Sequence, residues 1–246
     1  MGNNESIAES ARLGRGVKLG NNVTIMGGCV VGEDCVIGNN VVLREGTRLG
    51  SKVTVFDNAV LGRKPQSAGG LKRAIAQDLP GLTIGNGCVV GAGAVLYSGT
   101  QIDNNVLIGD LVSIREGCRI GSFVVIGRST TINYNTSIGE YTKIMDGCHI
   151  TGDMLIEDHV FISVEVVSTN DNSMGRSEHS LDNRRGPIVR RGAAIGANAS
   201  LLPGVEIGEY AIVGSGAVVT KNISPRKVAF GVPAREVRDV DASMLP

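Results

Sequence analysis

Residues 13–43 read LGRGVKLGNNVTIMGGCVVGEDCVIGNNVVL, with an aliphatic side chain at every sixth position: Leu13, Leu19, Ile25, Val31, Ile37 and Leu43. The same beat starts at Ile7 and runs to Val55, resumes from Ile84 to Ile162, and returns from Val189 to Val219. All 29 hexads in these three runs begin with Ile, Leu or Val. The fifth position is small (Val17, Val23, Cys29, Ala94, Thr130), and the second is often Gly. The fourth is rich in Asn, Asp and Gly, as at Asn22, Asp34, Asn40 and Asn58. These residues tolerate a left-handed backbone at a tight corner. A period of six is neither helical nor a simple alternation. It predicts a short strand and a tight turn, repeated, with one large and one small side chain facing inward per repeat.

The composition agrees. The chain of 246 residues has no Trp, four Phe, four Tyr and 35 Gly, a poor supply for a core of large rings. Lys and Arg number 24 and so do Asp and Glu, so the net charge is zero. That argues against a nucleic-acid binder or a membrane-surface protein, which carry a basic excess. No apolar run approaches a membrane span and the first residues lack a signal-peptide layout, so a cytoplasmic protein is expected. Cys29, Cys35, Cys88, Cys118 and Cys148 all fall at the inward fifth position, as small buried hydrophobes with free thiols.

Two stretches break the beat. GRKPQSAGGLKRAIAQDLPG, residues 62–81, carries Arg63, Lys64, Lys72 and Arg73 against Asp78, an arm whose cations suit a phosphate-bearing ligand. STNDNSMGRSEHSLDNRRGP, residues 168–187, is polar throughout. Regular rungs offer few concave pockets, so such extruded loops are where a specific site can be built.

The pattern [LIV]-G-x-x-[small]-x resembles the hexapeptide repeat of left-handed parallel β-helices. The resemblance implies an all-β fold in which three hexads form one triangular coil of about 18 residues. It implies about ten coils stacked at ~4.8 Å, a prism roughly 45–50 Å long. The expected organisation is one domain over 1–246, with repeats at 7–61, 84–167 and 189–224. Loops leave at about 62–83 and 168–188, and a short helix or tail over 225–246 folds back on the last coils.

The segment IGANASLLPGVEIGEYAIVGSGAVVTKNISPRKVAFGVPAREVR is similar to the C-terminal signature of hexapeptide acyltransferases, which take an acyl group from coenzyme A. By that resemblance Ala197 of GAN and Ser215 of GSG meet pantetheine, Thr220 and Lys221 of VVTK lie beside the cofactor, and Arg235 and Arg238 of PAREVR meet its phosphates. Arg191 and Ala193 of RRGA join them, with an oxyanion donor expected among the amides of residues 190–193. Small residues admit backbone amides and clustered cations meet phosphate charge. The cofactor implied is acetyl-CoA, without a metal.

Sugar O-acetyltransferases of this superfamily carry a general-base His 27 positions before the residue matching Ala197; here that position is Asn170. A hydroxyl acceptor needs such a base, whereas an amine that has lost its ammonium proton is already a nucleophile. TNDN, with GR shortly after, resembles N-acetyltransferases of nucleotide-linked 3-amino sugars (dTDP- or UDP-linked) in bacterial glycan precursor synthesis. The resemblance implies Asn170 and Asp171 at the amine and largely substrate-assisted chemistry. His179 is the alternative base for a sugar or serine O-acetyltransferase reading, and a non-catalytic scaffold is the third. His149, His159 and His179 are too widely spaced for the three-histidine zinc site of γ-carbonic anhydrases. For the nucleotide sugar, IREG (Arg115, Glu116) and INYN (Asn133, Tyr134) lie 18 residues apart and stack on adjacent coils. The family implies a homotrimer with sites between subunits.

Overall fold

The structure is a computed structural model that describes residues 6–70, 74–76, 78–174, 176 and 185–245. Each hexad forms a two-residue strand, and successive strands visit three parallel sheets in turn. Sheet one runs from Ser6–Ile7 to Val218–Val219, sheet two from Arg12–Leu13 to Glu206–Ile207, and sheet three from Lys18–Leu19 to Lys227–Phe230. The result is the left-handed β-helix the repeat implies. We call the turn from sheet one to sheet two the first corner, from two to three the second, and from three back to one the third.

Register is exact in multiples of the coil, so like stacks on like. Ile102, Ile120, Ile138 and Ile156 form one inward column across four rungs. All four are at most 3% exposed. Burying each is worth about 2–3 kcal/mol, enough in sum to specify a core without aromatic rings. The fifth-position residues add polar stitching: the thiols of Cys29, Cys88 and Cys118 and the hydroxyls of Thr100 and Thr130 each donate to a carbonyl 15 residues on. Burial pushes the Cys118 thiol up to about 12 and raises the other four cysteines too. A native sample titrated with a thiol reagent at pH 8 is therefore expected to show almost no reaction, and five equivalents after unfolding. Rapid modification of the folded protein contradicts this packing.

The fourth positions turn the corners. Asn22, Asp34, Asn40, Asn58 and Asn105 have φ between 55° and 63°, and the amides of Asn22, Asn40 and Asn58 form a ladder with 3.2 Å links. At the second corner bulky side chains take this backbone: Phe123, Tyr141 and His159 stack with centroids 4.9 and 5.1 Å apart. Stacking offsets the cost of the left-handed conformation.

The sheets hold 11, 10 and 12 strands, slightly more than the expected ten coils. Two features account for the difference. The beat extends one hexad to Leu61, fully buried in strand Val60–Arg63. The tail is not a helix: Lys227–Phe230 adds a rung to sheet three, and Arg235–Asp239 pairs back on it antiparallel before a 3₁₀ turn at Ala242–Met244. Among the described residues, no helix is long and apolar enough to cross a membrane.

Candidate active site at the first corner

Both loops leave the prism at the first corner. The chain departs sheet one after Arg63 and after Ser168, and re-enters sheet two at Thr83 and Ile188. Five rungs at about 4.8 Å separate the two exits, roughly 24 Å of corner. Ser168 marks the second exit: it occupies an inward slot that elsewhere holds an aliphatic residue. Its buried hydroxyl accepts from the Thr151 N–H at 2.9 Å and donates to the His149 carbonyl at 3.1 Å.

Between the exits lies a row of polar and aromatic side chains. Arg115 donates through Nε and Nη2 to both carboxylate oxygens of Glu116 at 3.0 and 2.9 Å, and Glu116 is 2% exposed. The Arg115 guanidinium lies 5.7 Å from the centroids of both Tyr97 and Tyr134. Tyr134 leans along the axis over Gly152, where a Cβ would stand 2.6 Å from its ring, so only glycine admits it. Asn170 closes the row: its Nδ2 donates to the Gly152 carbonyl at 3.2 Å and to the Tyr134 hydroxyl at 3.4 Å. A carbonyl can only accept, so Nδ2 must face it and Oδ1 turns the other way. Asp171 parts from its neighbour, since its Oδ1 accepts from the Ser173 N–H at 2.8 Å and closes a turn. Tyr97 and Gly152 went unread in the sequence, although each stands 18 residues from a residue that was read. Asn133 is half-buried on the Tyr134 rung, and its backbone is engaged with Ile150 and Cys118.

The residues expected at the cofactor do not gather within one chain. Ala197 and the exposed Ser215 stack on consecutive rungs of the third corner. Arg235 lies beside them, because Ala234 N–H donates to Val218 at the start of sheet one. Arg238 sits farther along the same strand, toward the second corner, donating to the Asp239 carbonyl at 3.1 Å. Thr220 and Lys221 are exposed on the last first-corner rung, above Asn170. A face of six residues at ~3.3 Å sets the third corner about 20 Å from the first.

Two expectations need correction. Ala193 points into the core at 0% exposure, so its side chain meets no ligand. The amides of 190–193 cannot form an oxyanion hole. Arg190 N–H bonds Ile207, Gly192 bonds Asp158, Ala193 bonds Arg190, and Arg191 N–H bonds the Glu157 carboxylate at 2.9 Å. Arg191 is a second-corner residue, 3.6 Å from Asp158. Burial alone would raise the Glu157 carboxyl, but Arg190 and the Arg191 N–H outweigh it and hold it low. A groove of about 630 Å³ runs along sheet two past Arg119, Ser137, Leu155 and Arg191; it is a trough between rungs, away from Asn170.

His179 lies outside the described residues, as do Lys72 and Arg73. His149 stands on sheet one, one rung before Val167, with Nδ1 2.8 Å from the Thr131 hydroxyl. Burial lowers its pKa below the ordinary 6.5. The unfolded chain therefore takes up this proton more readily, and stability must fall as pH drops through about 6.5. Melting curves between pH 7.5 and 5 are expected to show a steeper acid loss in the wild type than in His149→Gln. Parallel losses contradict the assignment.

The repeat has recognised relatives. Residues 10–45 and 186–221 match the model of the bacterial transferase hexapeptide (six repeats). Residues 28–63, 73–98 and 81–110 match that of the hexapeptide repeat of succinyl-transferase. A 48-residue segment is 54% identical to the dTDP-3-amino-3,6-dideoxy-alpha-D-galactopyranose 3-N-acetyltransferase of Aneurinibacillus thermoaerophilus, covering 20% of this chain and 25% of that protein. Over 90 residues the chain is 34% identical to a serine acetyltransferase of Buchnera aphidicola, covering 37% and 34%. The chain thus spans about a third or less of these relatives. The UDP-N-acetylglucosamine acyltransferase of Campylobacter jejuni superposes over 96% of this chain and 73% of its own, with a TM-score of 0.50 at 17% identity, a likeness of fold. Sheets built rung by rung from hexads, and two models matching that repeat across all three of its runs, lead to one conclusion: the chain belongs to the hexapeptide-repeat family of bacterial transferases.

Proposed function

We propose that the protein is an acetyl-CoA-dependent N-acyltransferase acting on the amine of a nucleotide-linked amino sugar, dTDP- or UDP-linked, in bacterial glycan precursor synthesis such as that of lipopolysaccharide. One observation carries the reading: Asn170 fills the catalytic-base position with an amide whose donor side is spent on Gly152 and Tyr134. Its Oδ1 is left as an acceptor, suited to hold an N–H of the substrate amine and the positive charge that grows on that nitrogen. It cannot strip a proton from a hydroxyl. The amine nitrogen attacks the thioester carbonyl, the C–N bond forms, the C–S bond breaks, and the leaving thiolate takes the proton released by the nitrogen, directly or through water. Asp171 shapes the turn that holds Asn170 and adds negative charge beside the amine. The Aneurinibacillus relative bears the name of an enzyme of this substrate class.

The two corners meet if the protein is a homotrimer. Exposed apolar residues crowd one side of the prism: Val36, Leu107 and Phe161 on sheet three, Phe123 and Tyr141 on the second corner. A patch of this kind marks an interface. With the second corner turned to a threefold axis, sheet two of one chain packs on sheet three of the next. The outer rim of that cleft then joins the first corner of one chain to the third corner of its neighbour. Asn170 comes from one side, and Ala197, Ser215 and Arg235 from the other. The assay is thiol release from acetyl-CoA with a panel of dTDP- and UDP-amino sugars. Turnover on amines supports the reading; turnover confined to hydroxyl acceptors and lost in His179→Ala replaces it with O-acyl transfer.

A further inference from the structure

The first-corner row extends beyond the residues that sequence reasoning assigned to the substrate. Gly62 has φ 85°, and the register slips between Leu61 and Arg63 so that Arg63 stands opposite Tyr97. A side chain at position 62 would collide with the Thr47 hydroxyl. This bulge re-aims Arg63, whose guanidinium lies 5.2 Å from the Tyr97 centroid. Cation and ring then alternate up the corner as Arg63, Tyr97, Arg115 and Tyr134, ending on Asn170. Each guanidinium rests against a ring, so its N–H edges face outward in a fixed plane, and Arg115 makes no bond through Nη1. Glu116 fixes that plane from below. A buried charge that chelates its neighbour is costly unless the pair is complete, so Arg115 is held in one position.

We propose that this row is a preformed ladder for the nucleoside diphosphate part of the substrate, an inference that rests on the amino-sugar reading above. Arg115 takes the diphosphate through its free edge, the sugar lies toward Tyr134 and Asn170, and the nucleoside lies toward Tyr97 and Arg63. Glu116 is a positioning residue that acts through Arg115. The chemistry fits at each rung. A planar fork matches phosphate oxygens, phenol hydroxyls on either side offer further hydrogen bonds, and Arg63 is a second cation where the ligand is longest. The polarity follows from the ends of the row, because the acceptor oxygen of Asn170 stands at one end only.

The test measures binding of dTDP and of UDP by calorimetry, and steady-state kinetics with an amino-sugar nucleotide. Wild-type protein is expected to bind at least one of the two nucleotides. Arg115→Gln should weaken that binding by about tenfold or more, and Arg63→Gln should weaken it less while flattening its salt dependence. Glu116→Gln should raise KM for the nucleotide sugar several-fold with kcat and the KM for acetyl-CoA unchanged, a split that general loss of structure does not produce. Should Arg115→Gln not fold, Arg115→Lys keeps a charge over Glu116 but loses the fork, and the same weakening is expected. If amine turnover is intact but all three variants bind nucleotide as the wild type does, the ladder is structural and this inference falls while N-acyl transfer stands. Equal turnover of a free amino sugar without a nucleotide has the same meaning. Absence of both nucleotide binding and amine turnover in the wild type removes the two together.

Discussion

Asn170→Ala should lower turnover by about 100-fold while the KM for acetyl-CoA stays within a factor of two. The magnitude is that of losing one preorganised polar group at a centre where charge develops. The selectivity follows from position: Asn170 belongs to the first corner, and the residues matched to the cofactor, Ala197, Ser215 and Arg235, to the third. Asn170→Asp separates the effects further. Its carboxylate loses the donor to the Gly152 carbonyl, so the side chain is repelled from the seat it now occupies. It should be no better than the alanine variant. Steady-state kinetics check both, and wild-type turnover in Asn170→Ala would remove this residue from the site.

The second large effect comes from mixing chains. Ser215→Trp should fill the third-corner groove and abolish acetyl-CoA use, and Asn170→Ala disables the first corner. If every site takes one corner from each of two chains, unfolding and refolding an equal mixture of the two inactive variants must regenerate working sites. Random assembly of a closed trimer gives about a quarter of wild-type activity. A site contained in one chain gives none, because each chain carries a defect. Activity of the refolded mixture, measured against each variant refolded alone, decides between these arrangements.

Much of the architecture is legible in the sequence because a hexad leaves little freedom. An aliphatic residue at each first position and a left-handed corner residue at each fourth admit one stacking, and the inward cysteines follow from it. The tail was misread because PAREVR carries helix-forming residues, while its strand is set by pairing with Lys227–Phe230, a tertiary effect. Leu61 was set aside because the next residues leave the repeat, yet the bulge at Gly62 postpones the departure by two residues. Asn170 was found by counting along a family motif, and Arg115 and Tyr134 by their spacing of about one coil. Tyr97 answers to the same arithmetic, 18 residues before Arg115, and so does Gly152, 18 after Tyr134. What spacing does not convey is which corner a motif occupies once a loop of free length has reset the count. Hence Ala197 and Asn170, neighbours in the family motif, stand at different corners of one prism.

The central claim is that the acyl acceptor is the amine of a nucleotide sugar. The most direct measurement offers the protein acetyl-CoA with a dTDP-3-amino-3,6-dideoxyhexose or a UDP-amino sugar, and separately with the matching hydroxyl sugar nucleotides. Thiol release and the mass of the product are followed together. The expected result is stoichiometric thiol release with an added acetyl group on the amine, and none with the hydroxyl compounds. Transfer to the hydroxyl compounds alone, or to no nucleotide sugar at all, contradicts the account.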